Sequence, residues 1–352
     1  MKKYYKAAIG FLLISLAIIW YRDQHLSDMA GQMILVGFRG TSPDDATVRD
    51  IARDIHAGRI GGVILFSIDV EQGNQAGYSP RELRTKTKSR NIQSIDQVRE
   101  LNQYLTAAAR RGGKPVLFTA IDQEGGAVIR IGPEHGFKTP LPPARDMAAM
   151  NMDTVADLYY KQGQKLSDLG FNLNFAPCTD VDINPQSPAI GVRGRAYSSD
   201  PERIYEYGHT AANAMARAGV LSSFKHFPGH GSATGDTHAG LVDITNTWKR
   251  DELRPYATVP ATSMVMVAHV INGNIDPENP ASLSPDTINK LLRGQMGYNG
   301  VVITDDLQMG QYIITMVYAK HCGVQFWPVM ILCCLGIICS IPKIWGGLPT
   351  AR

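Results

Sequence analysis

The segment Lys225-His226-Phe227-Pro228-Gly229-His230-Gly231, with Asp236-Thr237-His238 just after it, gathers a lysine, three histidines and a carboxylate in one short stretch. Asp236 stands two residues before His238. A carboxylate that close can hydrogen-bond the imidazole and tune its proton affinity, which is the equipment of an acid/base pair. Gly229, Gly231 and Gly235 are expected to make the segment a mobile loop that swings the pair over bound substrate. A second acidic centre is Asp305, in Ile303-Thr304-Asp305-Asp306-Leu307, with Asp306 as its competitor. Side chains alternate along a strand, so only one of the two faces a site there. Sugar-bond cleavage with retention needs a carboxylate nucleophile and an acid that later acts as base. Asp305 suits the first role and His238 the second. Asp122, Arg130, Lys225 and His226 are polar anchors of the kind that grip sugar hydroxyls.

Other chemistries fit less well. His226, His230 and His238 could ligate zinc in a metal-dependent hydrolase, but their spacing matches no zinc pattern and no helix aligns them. His230 alone reads as structural, because the flanking glycines suggest tight backbone packing. Asp122-Gln123-Glu124-Gly125-Gly126 could be a plain turn, although its place at the end of an apolar run favours a site.

These residues need elements to hold them. Short apolar runs rich in Val, Ile, Leu and Phe recur at Met33–Phe38, Gly62–Phe66, Pro115–Asp122, Phe171–Pro177, Gly219–Phe227, Ser263–Val270 and Gly300–Asp305. They lack strict alternation, as strands buried on both faces do. Helical stretches separate them: Ile95–Arg110, Asp153–Leu169, Pro201–Ala218, and one opened by Ser284-Pro285, a capping serine with proline at the first helical position. The alternation predicts an α/β fold with a parallel sheet, either a TIM-like (β/α)8 barrel or, second, an open doubly wound sheet. Asp122, Asp180, Asp182, Lys225, His226, His269 and Asp305 all fall at or just after the C-terminal ends of strands, where such a barrel gathers its catalytic groups. An eighth strand is not evident, so the barrel is expected to be incomplete at its C-terminus.

The two ends differ from this middle. Lys2, Lys3 and Lys6 precede an uncharged, mostly apolar run over residues 7–20, the pattern of a signal peptide or membrane anchor within residues 1–24. An exported, periplasmic or extracytoplasmic chain is expected, with membrane association through residues 7–20. None of the 32 acidic residues lies beyond Asp306, and four of the 5 cysteines (Cys322, Cys333, Cys334, Cys339) crowd into the end. Residues 311–352 therefore read either as a second membrane segment or, preferably, as a tail foreign to the fold, such as the product of a reading-frame shift. A net charge of +3 is too mild for nucleic-acid binding. The cluster Arg81, Arg84, Lys86, Lys88 and Arg90 reads as a solvated loop.

The stretches KHFPGHGSATGDTH at 225–238, DQEGGAVIR at 122–130, PASLS at 280–284 and TDDLQMG at 304–310 together resemble the bacterial β-N-acetylhexosaminidases of glycoside hydrolase family 3. The resemblance runs over about residues 25–310. It implies a TIM-like barrel without metal or cofactor, acting on N-acetylglucosamine-containing glycans such as peptidoglycan fragments. It implies Asp305 as nucleophile, His238 as acid/base and Asp236 as its partner. Asp122, Arg130, Lys225 and His226 take the sugar-binding positions. The family's IGxRS(Y/F)xSDP arginine falls in a segment two residues longer here, and counting back from Asp200-Pro201 selects Arg195 over Arg193. The family continues after TDDLQMG with a helix and a strand of AGxDLLL type, which residues 311–352 do not match. The resemblance thus implies a retaining exo-β-N-acetylglucosaminidase, expected to be monomeric, in peptidoglycan turnover. A degenerate, glycan-binding relative lacking the last strand is the alternative.

Overall fold

The computed structural model describes residues 28–68, 88–237, 240–307 and 331–334. Seven parallel strands form one curled sheet: β1 (Ile34–Gly37), β2 (Gly62–Ile64), β3 (Phe118–Ile121), β4 (Leu173–Asn174), β5 (Leu221–Phe227), β7 (Ser263–Val267) and β9 (Val302–Thr304). They neighbour one another in that order. Each of the seven apolar runs contains one of them. The small strands β6 (Val242–Asp243) and β8 (Val270–Ile271) pair with each other apart from this sheet.

The side-chain alternation gives the sheet its curl. Leu35, Ile64, Ala120, Leu173, Met264, Met266 and Ile303 share one inner cluster, although β1 and β9 stand far apart in the strand order. Their strand neighbours Val36, Val63 and Ile121 face outward into a second cluster, and Val265, Val267 and Val302 into a third. Strands that bring one face together at a common centre are those of a barrel. Helices Ile95–Arg111, Met152–Asp168 and Pro201–Arg217 cover the outside. Each begins with a side-chain cap, from Ser94, Asn151 and Asp200 respectively.

The sequence points to no eighth strand. The structure places β10 (Ile331–Cys334) beside β1, but antiparallel to it, whereas a (β/α)8 barrel closes with a parallel strand. Among the described residues β10 and β9 form no ladder with each other. The remainder of 311–352 and the apolar run 7–20 lie outside the described residues. No helix among the described residues is long and apolar enough to cross a membrane.

Two readings need correction. Gly229 and Gly231 do not loosen the chain. A Cβ on Gly229 would meet the Glu252 side chain, and one on Gly231 would lie 1.7 Å from the Val181 carbonyl oxygen. These glycines permit close packing, and residues 228–233 are buried. Arg90 likewise is not solvated. It is 8% exposed, donates to the Phe38 carbonyl and lies over the Phe66 ring, because its aliphatic stem and planar head suit a packed aromatic face.

Candidate functional site

Charged groups meet at the C-terminal ends of β3, β4 and β5. Along β3, Ala120 faces the inner cluster, so Asp122, two residues on, leaves the strand on the same side. On β5 the pairing with β7 shifts register between Phe224 and Phe227. Such a bulge re-aims side chains, and Lys225 and His226, adjacent in sequence, both reach the same cluster.

Lys225 Nζ donates to Asp122 at 3.0 Å and pairs with Glu124 at 2.7 Å. Arg130 donates to the other Asp122 oxygen at 2.9 Å. Arg195 grips Glu124 through two hydrogen bonds, 2.9 and 2.7 Å, in the bidentate geometry that its planar fork favours. The same guanidinium approaches His226 Nε2 at 3.3 Å. His226 Nδ1 lies 2.6 Å from Asp180, which also accepts the backbone N–H groups of His226 and His230. An ionised Asp180 places the ring proton on Nδ1 and leaves Nε2 as the acceptor facing Arg195. Asp122, Lys225, Glu124, Arg195, His226 and Asp180 thus form one continuous chain of contacts.

Burial alone would raise the Asp122 carboxyl, but Lys225 and Arg130 outweigh it and hold the group far below the usual carboxylate range. Glu124 is lowered in the same way, against burial, by Arg195 and Lys225. For Asp180, the His226 side chain and then His230, through its charge and its backbone amide, outweigh burial in the same way. Lys225, despite burial, is raised by Glu124 and Asp122. Asp122, Glu124, Asp180, Lys225 and Arg195 therefore stay ionised at neutral pH. One donor in it is unsatisfied: Arg130 Nε is buried without a hydrogen-bond partner.

Asp305 follows β9. Ile303 faces the inner cluster, so alternation puts Asp305 on that side and Asp306 on the other. Its backbone is pinned. The Asp305 N–H donates to Val267 O at 3.0 Å, and the Asp306 carbonyl accepts from His269 Nε2 at 2.9 Å. The Ser282 hydroxyl holds His269 Nδ1 at 2.7 Å, so the PASLS stretch acts as a brace for this turn. Asp236, on the segment that emerges after Ala233, pairs with Arg193 at 3.6 Å. His238 lies outside the described residues.

The structure thus brings together Asp122, Arg130, Arg195, Lys225 and His226. It sets Asp305 on the same C-terminal rim and leaves Asp236 on the adjoining loop. Between the two arginines of the 190–201 segment, Arg195 enters the network, while Arg193 is half-exposed. Sequence reasoning left out Glu124, treated as part of a turn, and did not assign Asp180 its place beneath His226. An acidic residue two positions beyond Asp122 shares its face, a signal that the sequence does carry for Glu124.

For a metal, the described residues offer Cys178, Asp180 and His226, whose donor atoms lie within 4.8 Å of one another. A cation there would have to release the His226 bond to Asp180 and deprotonate Cys178. The Cys178 thiol is pushed well up by burial and then by Asp180, and the Arg195 guanidinium stands nearby. The donor set is better occupied by its own hydrogen bonds. His226 and His230 rings lie 5.8 Å apart.

The family model for the glycosyl hydrolase family 3 N terminal domain matches residues 25–325. A β-hexosaminidase of Xylella fastidiosa is 33% identical over 289 residues, covering 79% of this chain and 75% of that protein. β-Hexosaminidase A of Pseudoalteromonas piscicida is 34% identical over 245 residues, and the match spans 62% of this chain but only 40% of that relative. Among solved structures, a glycoside hydrolase family 3 β-N-acetylglucosaminidase from Paenibacillus superposes with TM-score 0.69 at 32% identity, over 83% of this chain and 51% of its own. A β-N-acetylhexosaminidase from Beutenbergia cavernae gives 0.66 at 29%, over 81% and 79%.

Proposed function

This chain belongs to glycosyl hydrolase family 3, which makes it a glycosidase by descent, and from that premise we propose that it is a retaining exo-β-N-acetylglucosaminidase. The observation that carries the reading is the largely buried network of Asp122, Glu124, Lys225, Arg195, His226 and Asp180 at the strand ends, with its three carboxylates and Lys225 ionised and an orphan donor on Arg130. An ionised carboxylate accepts hydrogen bonds from sugar hydroxyls, and a cation already locked in place donates to them without reorganising. Asp122, Arg130, Arg195, Lys225 and His226 are the sugar anchors in this reading.

Asp305 attacks the anomeric carbon as the glycosidic oxygen takes a proton from His238, giving a covalent glycosyl-enzyme and the free leaving group. His238 then removes a proton from water, which attacks the same carbon and restores the Asp305 carboxylate. Asp236 steadies the imidazolium in the first step. The proposed substrates are N-acetylglucosamine-terminated glycans such as peptidoglycan fragments, met outside the cytoplasm. Both relatives of matching length bear hexosaminidase names, which supports the sugar but not the linkage.

Release of 4-nitrophenol from its N-acetyl-β-glucosaminide tests the proposal. Asp305→Asn is expected to cut turnover by about 10⁴-fold or more, since it removes the bond-forming group. Equal turnover by variant and parent would sink the reading. The antiparallel β10 favours one second reading, a glycan-binding chain that does not turn over. Saturable N-acetylglucosamine binding by a parent protein with no detectable hydrolysis identifies it.

A further inference from the structure

Asp305 stands just past the end of β9, where the ladder to β7 stops at the pair Val267 and Thr304. One oxygen of its carboxylate is already engaged: the Asp306 backbone N–H donates to Asp305 Oδ1 at 2.9 Å. A carboxylate gripped by one oxygen has its plane set, and the direction of the second oxygen, Oδ2, is set with it.

That amide is a fixed point only if Asp306 is itself held. Its carbonyl accepts from His269 Nε2 at 2.9 Å. A carbonyl only accepts, so Nε2 carries the ring proton and Nδ1 accepts from the Ser282 hydroxyl at 2.7 Å. The Ser282 N–H donates to the Ala268 carbonyl at 3.1 Å, and the Ala268 N–H donates to the Phe227 carbonyl at 2.8 Å. The brace thus runs from β5 past the end of β7 to the residue after Asp305. His269 and Ser282 are 1% and 2% exposed, so a bond lost here leaves a buried polar group unpaired.

We propose that His269 is a positioning residue for Asp305: backed by Ser282, it fixes Asp306, whose amide aims the Asp305 carboxylate. The inference rests on Asp305 as the nucleophile. Oδ2 is then the attacking atom. Its lone pair forms the bond to the anomeric carbon as the bond to the leaving oxygen breaks, and that electron pair departs with the leaving group. Oδ1 becomes the carbonyl oxygen of the glycosyl ester and still accepts from the Asp306 amide. Attack needs aligned atoms about 3–3.5 Å apart, and a displacement of about 1 Å costs on the order of 100-fold. His269 acts through the Asp306 backbone, not on the sugar.

Two substitutions separate the bonds of the imidazole. Glutamine carries an amide N–H as far out as Nε2 and can keep the bond to Asp306, whereas asparagine ends near the Nδ1 position and falls short of it. In the full chain, His269→Asn is expected to lower kcat/KM about 100-fold for both the 4-nitrophenyl and the 2,4-dinitrophenyl N-acetyl-β-glucosaminide. Dinitrophenolate leaves without a proton, so an equal loss on both substrates puts the defect at the nucleophile and not at the acid. His269→Gln should recover most of that loss. Competitive inhibition by N-acetylglucosamine should stay at the parent value in both variants, because the sugar anchors are untouched. A merely structural role would weaken that inhibition and would strike the two variants alike. Should His269→Asn fail to fold, Ser282→Ala carries the test through a smaller loss shared equally by both substrates, and an unequal loss or none overturns the inference. Asp305→Asn is run alongside. If the parent hydrolyses neither substrate, or Asp305→Asn matches the parent, the nucleophile assignment falls and the inference with it. If Asp305→Asn is inactive while His269→Asn and His269→Gln both keep the parent's kcat/KM, or lose it equally, the inference alone is overturned.

Discussion

The first half of the Lys225–His238 stretch is buried and tied to three strands, whereas residues 234–236 come partly to the surface, where Asp236 pairs with Arg193. Lys225 and His226 hold Asp122, Glu124 and Asp180, and the backbone behind them is wedged by Gly229 against Glu252 and by Gly231 against Val181. After Ala233 the chain becomes partly exposed, and Asp236 contacts Arg193 across 3.6 Å. Under the proposed function, the difference matches two tasks. Sugar anchors gain from being locked before substrate arrives, because the ordering cost is then already met in folding. A group that must donate and later accept a proton needs room to adjust.

The largest effect that sharpens this contrast is expected from Lys225→Met. It strips buried Glu124 and the largely covered Asp122 of their shared cation and should cost about 3–5 kcal/mol. A fall in Tm of about 10 °C or more checks it, and an unchanged Tm would mean that the network is not as closed to water as its burial implies. Asp236→Asn should do the reverse, lowering kcat by about 100-fold with Tm intact. Equal Tm losses in the two variants would erase the distinction between halves.

The smallest effect lies beneath the boundary, at Glu252, whose carboxyl is pushed up to about 7, chiefly by burial and against the amides that hydrogen-bond it. A folded-state pKa raised above the ordinary value of about 4.5 means that its stabilisation is complete below that pH and is lost as pH rises through about 7. The unfolding free energy from urea titrations should therefore decline between pH 5 and 8 by on the order of 1–2 kcal/mol. Glu252→Gln should flatten that slope, and a slope identical to the parent's would remove Glu252 as its source.

Much of this architecture is written locally. Runs such as Leu221–Phe227 carry their own strand signal, and Ser94, Asn151 and Asp200 mark helix starts through their side chains. The helix Ala46–Ala57 is harder to read, because only Val48, Ala52 and Ile55 are buried and Asp45 makes no side-chain cap to it. The two-residue strands β6 and β8 are too short to leave a period. At the site, Lys225 and Asp122 are legible as strand-end residues. The Glu124–Arg195 pair is not, since 71 positions separate its members and only the fold brings them together. The glycines mislead for a related reason. Whether a glycine serves motion or contact depends on what packs against it, and for Gly231 that is the Val181 backbone.

Cys178 sits beneath this ensemble, buried, with its thiol donating to Asp180 at 3.3 Å and its proton held tightly by burial and by that carboxylate. A thiol in that state is inert to alkylating reagents. It can be reached only when the strand ends separate, so its labelling rate, followed peptide by peptide, becomes a stopwatch for opening of the proposed sugar site. A ligand that seats on Asp122 and Lys225 should slow that clock in proportion to its occupancy, giving a readout of binding that needs neither a chromogenic sugar nor turnover.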